Sequence, residues 1–451
     1  MTRLRDLGRW SGGNTPSKAN IEYWTNGTVP WVSPKDMKFD EITRSEDLIS
    51  QSALAEGRVS LLPTGSVLVV TRSGILSHTL PVAVTKLPVT INQDIKALTL
   101  NTGVSAKYVA HALRGSSQRI LRQCSKHGTT VASVDTNALL DFEIPMVGFN
   151  EQEAVVAELE KQFSRLDEAV ANLQRVRANL KRYKASVLKA AVEGRLVETE
   201  ATLARREGRT YETGELLLQR ILEERRAKWT GKGKYKEPAK ADGMGVVPEG
   251  WTNASLDMLS TDSGYGTSQK CGYENDGPVV LRIPNVQHGV LDLHDLKFAP
   301  TEFKLSQSDA VSSGDMLIIR TNGSKSLIGR AAVVMAEPQR KMSFASYLIR
   351  FRLSSVDCIP AWVSVVWQTS QMREWIEAHA ATSAGQHNVS MTVLAKAAIP
   401  VPPVTEQARI VAEVDRHLSI IREVEAEVDA NLQRAQALRQ STLAKAFEVR
   451  S

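Results

Sequence analysis

Few residues in this chain have the types and spacing that chemistry requires. Pro402-Pro403 stands in a Val-Pro-Pro-Val setting and lacks the Asn/Asp-Pro-Pro-aromatic order with which a methyltransferase grips an amino group. No glycine-rich strand–helix turn suits S-adenosylmethionine, and Gly231-Lys232-Gly233-Lys234-Tyr235 lacks the spacing and the Ser/Thr of a phosphate loop. Asp292, Asp295-Leu296-Lys297 and Glu302-Phe303-Lys304 could be drawn into a nuclease-like acidic cluster, but such triplets are ordinary surface charge. The eight histidines are scattered, and His288 and His294 have no matching ligand pair. Cys124, Cys271 and Cys358 stand alone, which argues against a zinc site or a disulfide framework and for a reducing compartment. The residues thus predict no catalytic group and no metal site, and point to binding.

Bulk charge is a weak guide to what is bound. The chain carries +6 with a pI near 9.1, which favours a polyanionic partner. Residues 1–143 hold 16 basic and 12 acidic side chains, net +4, whereas residues 247–398 hold 13 and 14, net −1. If the second stretch meets a polyanion, it must use a local patch.

The elements that would position any binding residues are easier to read. Leu159, Leu166, Leu173, Leu180 and Val187 recur every seven residues, the seam of a coiled-coil helix. Ala169, Val176, Tyr183 and Ala190 mark a second row. The segment from Ile144 then returns, without a gap, 255 residues later at Ile399. Glu151-Gln152 falls on Glu406-Gln407, and Val156-Ala157-Glu158 on Val411-Ala412-Glu413. This is a tandem duplication. The second copy offers Val414, Ile421, Val428 and Leu438 to the same seam.

The stretches before the two helices also rhyme. Ser11-Gly12-Gly13-Asn14-Thr15 is echoed by Ser263-Gly264-Tyr265-Gly266-Thr267, and Trp31 to Lys35 by Leu281 to Asn285. Gly65 to Gly74, a β-branched run ending in a tight turn, is echoed by Gly314 to Gly323. Residues 1–143 are a mixed, strand-rich module, 144–196 a long helix, and 197–246 a short charged helix with Leu216, Leu217, Ile221 and Leu222 on one side, followed by a basic linker expected to be unstructured. Residues 247–398 repeat the module and 399–451 the helix. The class is α+β.

With its GGNTPSK…EYW…VPWVSPKDM opening, VLVVTRSG and MLIIRTNGS strands, VPEGW restart and two EQ-initiated helices led by Ile-Pro, the sequence resembles the specificity (S) subunit of type I restriction–modification systems over essentially its full length. The resemblance implies two target-recognition domains, each reading one half of a split site in double-stranded DNA. It implies helical regions that bind two modification (methyltransferase) subunits, and two restriction subunits where the host has them. This chain would hold no cofactor. S-adenosylmethionine would belong to the modification subunit, ATP and magnesium to the restriction subunit. The second glycine-rich turn lacks the proline of the first, and Ser73 stands where the second module has Asn322, so the halves are expected to read different bases.

Strand-end turns rich in Arg, Lys, Asn and Thr are where phosphate and base contacts would arise. The candidates in the first module are Lys35, Arg72, Ser73, Arg119, Arg122, Lys126 and His127. In the second they are Asn285, Arg320, Asn322, Lys325, Arg330, Arg340, Lys341, Gln386, His387 and Asn388. Packing the two helices antiparallel within the chain would bury both seams and set the modules at opposite ends, inverted, about 65 Å of helix apart at 1.5 Å per residue. Val156, Phe163, Val170 and Leu188 exceed what one helical neighbour can cover and are expected to meet the modification subunit or the modules. The competing reading is a coiled-coil scaffold whose duplicated modules bind proteins. The N-terminus lacks an apolar targeting stretch and no run approaches a membrane span, so a cytoplasmic protein is expected.

Overall fold

The computed structural model describes residues 1–126, 131–229, 234–243, 245–356, 359–383 and 385–448. It is a mixed α+β chain of two compact units, one holding residues 1–176 with the chain from 427 on, the other residues 177–426. No described helix is long and apolar enough to cross a membrane.

The first unit is built on strands β1 (Gly8–Gly12), β2 (Val29–Val32), β3 (Glu41–Ile42), β4 (Asp47–Ile49), β5 (Val67–Val70), β6 (Val82–Thr85), β7 (Thr90–Ile91) and β8 (Ile95–Leu100). They form a five-stranded sheet in the order β1-β8-β5-β6-β3 and a three-stranded sheet in the order β4-β2-β7. In the second sheet β2 and β7 run parallel. Strand β5 reads Val-Leu-Val-Val with every side chain buried, as befits a central strand covered on both faces. The chain enters it through Gly65 at φ +84°, a conformation that suits glycine. Helices Ala106–Gly115 and Ser117–Cys124 meet at Ser116 and cover the sheet with Tyr108, Val109, Leu113 and Ile120.

The second unit has strands β9 (Ser260–Tyr265), β10 (Val279–Leu281), β11 (Lys297–Phe298), β12 (Asp315–Ile319), β13 (Ala331–Val333), β14 (Met342–Phe344) and β15 (Leu348–Leu353). Their sheets run β9-β15-β12-β13 and β11-β10-β14, with β10 and β14 parallel. Gly314, at φ +85°, leads into β12, again wholly buried. The β12 carboxylate Asp315 has no solvent exposure and is met by Arg352, whose Nε and Nη2 lie 2.8 and 3.0 Å from its oxygens. A buried charge needs such a partner. Helices Ile359–Trp367 and Ser370–His379 complete this core.

The long helices span Phe149–Val192 and Val404–Ala446. Their buried glutamines act alike. Gln152 accepts from Ser105 N (2.9 Å) and donates to the Val147 carbonyl (2.8 Å), while Gln407 donates to the Pro402 carbonyl (2.8 Å). Glu406, wholly buried, accepts from Trp251 Nε1 (2.9 Å) and Glu200 N (2.8 Å). Burial raises its carboxyl above the usual range.

The heptad rows divide differently from expectation. Leu159 and Val187 are buried and Leu166, Leu173 and Leu180 half-buried. On the other helix Val414, Ile421 and Val428 are buried, but Leu438 is 57% exposed. Stepping by seven from Val428 leads to Ala435, which is buried and takes the seam position. The row three residues on is open on both helices, with Val176, Tyr183, Val424 and Leu438 all exposed. Leu438 failed as a seam residue because only one row per helix is covered.

Val156, Phe163 and Leu188, offered above as partner contacts, are 2–5% exposed. Val156 and Phe163 lie in the first unit's core with Leu443 and Phe447, and Leu188 in the second unit's core. They are covered by their own modules, the second of the two expected contacts, and are not open to another subunit. Val170 is half-buried.

The stretch after the first long helix is also corrected. Helix Glu200–Glu207 ends at Gly208 in the left-handed conformation. Helix Gly214–Ala227, capped by Thr213, buries Leu217, Leu218 and Ile221 in the second unit, while Leu216 is exposed. The basic linker is held where it is described. Ala239 N donates to Asp257 Oδ2 (2.8 Å), Ser255 Oγ to the Ala239 carbonyl (2.6 Å) and Asp242 N to the Lys396 carbonyl (2.9 Å). Gly231, Lys232 and Gly233 lie outside the described residues.

Candidate nucleic-acid interface

In the first unit the end of β5 is met by a segment some sixty residues later. Val134 N donates to the Thr71 carbonyl (2.8 Å), Ser73 N to the Ala132 carbonyl (3.1 Å) and Lys126 N to the Ser133 carbonyl (2.8 Å). These bonds set the arm around Lys126 beside Arg72 and Ser73. On the other side, Thr71 N donates to the Asp94 carbonyl (2.8 Å). Asn92 and Asp94 close that turn through two 3.1 Å bonds, and Gln93 bonds Thr15 in the glycine-rich turn. That turn packs tightly, since a Cβ on Gly13 would fall 2.0 Å from the Asn92 carbonyl oxygen. Arg72 stands exposed at the centre.

The second unit builds the same site with other side chains. Val389 N donates to the Arg320 carbonyl and Arg320 N to the Tyr347 carbonyl, both at 2.9 Å. Thr321–Asn322, Gln386–Asn388 and Ala381–Ser383 form a small antiparallel sheet, pairing Thr321 with Asn388 and Asn322 with His387. The Arg320 guanidinium lies 4.7 Å over the Tyr265 ring, an attraction of cation and π face. His387 Nδ1 and Thr382 Oγ1 are 2.9 Å apart, fixing the imidazole on the ribbon. Asn322 Oδ1 accepts from Ser324 N (2.8 Å), so its amide NH2 is left for a ligand. Within this three-stranded sheet Ala381–Ser383 and Gln386–Asn388 pair as a two-stranded ribbon, a form that fits a DNA major groove, and Asn and Gln side chains suit adenine edges.

Arg72, Ser73 and Lys126 are therefore brought together in one unit, and Arg320, Asn322, Gln386, His387 and Asn388 in the other. His127 lies outside the described residues. Arg122 is exposed on the helix that leads into the Lys126 arm. Lys126 is 3.4 Å from Asp135, whose carboxylate is held low by the Ala138 N–H it caps and by Lys126.

Other candidates are spent elsewhere. Asn285 is 1% exposed, accepts from Arg282 N (2.8 Å) and donates to the Asp292 and Asp295 carbonyls (2.9 and 2.8 Å). It closes a turn and cannot read a base. Lys35 sits between Glu46 (3.1 Å) and Asp47 (2.9 Å), which hold its ammonium above the usual range and cancel its charge. Arg119 stacks on Phe142 and donates to the Glu143 carbonyl (3.1 Å). Arg340 and Lys341 are exposed beside Tyr273, Asn275 and Lys304, on the three-stranded sheet of the second unit. Lys325 pairs with Glu377 at 3.5 Å, and Arg330 has no carboxylate partner among the described residues.

Two participants escaped the sequence reading. Tyr265 and Tyr347, 48% and 56% exposed, flank Arg320 and give the second site an aromatic rim. Tyr265 could have been found, because it falls within the repeated glycine-rich turn. Tyr347 carries no such mark.

The type I restriction modification DNA specificity domain is recognised over residues 1–176. The specificity subunit of the type I restriction enzyme EcoR124I/EcoR124II from Escherichia coli is 42% identical over 158 residues, 35% of this chain and 39% of that subunit. The EcoKI specificity subunit from Escherichia coli K12 is 23% identical over 340 residues, 75% of this chain and 64% of that subunit. The chain thus spans less than two thirds of these relatives' length. A chain from work on the complex assembly and conformational transition of the type I R-M system superposes with a TM-score of 0.65 at 17% identity, covering 99% of this chain and 97% of that one, and has the same fold. This chain carries the type I restriction modification DNA specificity domain in its first 176 residues and is similar to type I restriction enzyme specificity subunits.

Proposed function

We propose that the chain is the DNA-reading, non-catalytic subunit of a type I restriction–modification enzyme, each unit reading one half of a bipartite site. One observation carries this reading: both units bring a late segment against the end of their central strand at the same backbone position, Val134 on Thr71 and Val389 on Arg320. The strand orders β1-β8-β5-β6 and β9-β15-β12-β13 support a duplicated reader, as do β4-β2-β7 and β11-β10-β14. So do smaller matches. Tyr108 Oη donates to the Pro145 carbonyl (3.1 Å) where Trp362 Nε1 donates to the Pro400 carbonyl (2.6 Å).

The chain would direct two modification subunits, which bring S-adenosylmethionine, to adenines of the two half-sites. A restriction subunit would bring ATP and magnesium for cleavage. We assign to the modification subunits the exposed helix positions Val176 and Leu438 in the first unit and Tyr183 and Val424 in the second. This work belongs in the cytoplasm, where DNA and methyl donor meet.

The test is a module exchange. Residues 1–143 are replaced by the corresponding stretch of a relative of different specificity, and methylation is mapped with the modification subunit supplied. One half of the recognised site should change and the other stay. If both halves change, the one-unit-per-half-site reading fails.

A further inference from the structure

The module of the second unit has no net positive charge to offer DNA, so its cations must be concentrated if it is to hold a phosphate backbone. The structure concentrates them on one flank. Arg330 follows Gly329 in the turn before β13, and its backbone carbonyl accepts from Ile319 N (2.9 Å), which places it next in space to the strand end that carries Arg320. Its guanidinium has one neighbouring acceptor, Gln287 Oε1 at 3.5 Å, and its Nε is enclosed without a partner. Arg373 lies close enough to push the Arg330 pKa down after desolvation has done so. Arg373 itself donates to the carbonyls of Ile328 and Lys325.

The crowding continues to the long helix. His288, on the loop beside Gln287, is held below its ordinary value first by desolvation, then by Arg330, Lys184 and Arg373. Lys184 and His288 line one cavity with Gln368. The acids of this flank are Glu377, which neutralises Arg373 (2.6 Å) and Lys325 (3.5 Å), and Asp415 and Glu425, which line the same cavity as Lys184 and His288. Arg330 and Lys184 have no carboxylate partner among the described residues. Like charges gathered this way destabilise a fold unless an anion completes them.

We infer that Lys184, His288 and Arg330 form a phosphate-backbone site of the second unit, holding the duplex beside the base-reading ribbon of Gln386–Asn388. This rests on the chain being a DNA-binding subunit. Phosphate contacts hold any sequence and fix its register, while the ribbon supplies the choice of base.

Binding of the full chain with its modification subunit to a labelled duplex bearing the recognised site, and to an unrelated duplex, is measured by anisotropy across a salt series. Arg330→Gln and Lys184→Gln should each weaken both duplexes alike and flatten the plot of log affinity against log salt by about 0.9 for each phosphate no longer neutralised. Gln386→Ala should weaken only the recognised duplex. Lys396→Gln, at an exposed position near the linker, should change neither. Lys184 is on the helix surface, so its variant keeps the test valid if Arg330→Gln fails to fold. Unchanged slopes in a wild type that binds with a steep slope would overturn the phosphate site and leave the DNA-reading function standing. A wild type without salt-dependent binding would overturn both.

Discussion

Acid should loosen the first unit before ordinary carboxylates titrate, and His111 is the reason. Its side chain is 6% exposed in the helix Ala106–Gly115. Arg114 Nη1 lies 3.5 Å from its Nδ1, and the Phe163 ring is 5.8 Å from its own. Burial, then Arg114, lowers its pKa to about 4, with Arg439 adding and Asp40 and Glu160 opposing. The unfolded chain takes up this proton near pH 6.5, whereas the folded unit resists it down to about pH 4. The contribution is therefore whole above about pH 6.5 and is lost as pH falls toward 4. At roughly 1.4 kcal/mol per pH unit, about 2 kcal/mol is gone by about pH 5 and about 3 kcal/mol by about pH 4. Hydrogen exchange of the full chain, followed in peptides over 106–115, should show protection falling by this amount between about pH 7 and 5. His111→Phe should remove that dependence while leaving the second unit's peptides unchanged. Parallel loss in wild type and variant, or His111 titrating near 6.5, would refute the reasoning.

Two further outcomes follow from packing. Ala435→Glu should cost about 1–3 kcal/mol in urea unfolding, because it places a charge in the covered helix row, whereas Leu438→Lys should stay within about 0.5 kcal/mol yet weaken capture of the modification subunit in pull-down. Gly13→Ala and Gly266→Ala should each cost about 1–3 kcal/mol, since a Cβ would fall 2.0 Å from the Asn92 oxygen or 2.2 Å from the Phe344 oxygen; Gly74→Ala, with nothing within 4 Å, should be silent in the same assay.

The two long helices were legible because heptads are carried by residue type alone. Which neighbour covers an apolar row is not so carried. Val156, Phe163 and Leu188 could meet a partner subunit or the modules on sequence alone, and tertiary packing decides for the modules. Leu438 was assigned to the seam, although strict spacing from Val428 leads to the buried Ala435. The linker's basic composition argued for disorder, yet the Asp257 carboxylate and the Lys396 backbone carbonyl hold it. At the candidate interface, Arg72 and Arg320 were found because strand ends and turns have signatures. Asn285 shares that signature, and only its three hydrogen bonds reveal a turn closed on itself.

The two candidate sites differ in a way that, under the proposed function, would let one scaffold read two targets. By backbone position, Thr71-Arg72-Ser73 corresponds to Arg320-Thr321-Asn322, since Val134 meets Thr71 where Val389 meets Arg320. The arginine is thus one residue out of step, and in extended chain a single step turns a side chain to the opposite face. Arg72 stands exposed, while Arg320 lies back over Tyr265. Nothing that holds the fold has to change for this. Gly65 and Gly314 keep the entry turn, Gln152 and Gln407 keep the helix start, and Gly13 and Gly266 keep the close approach of the glycine-rich turn. Side chains on the exposed arm contribute little to folding, so their replacement costs little stability and is free to follow the DNA.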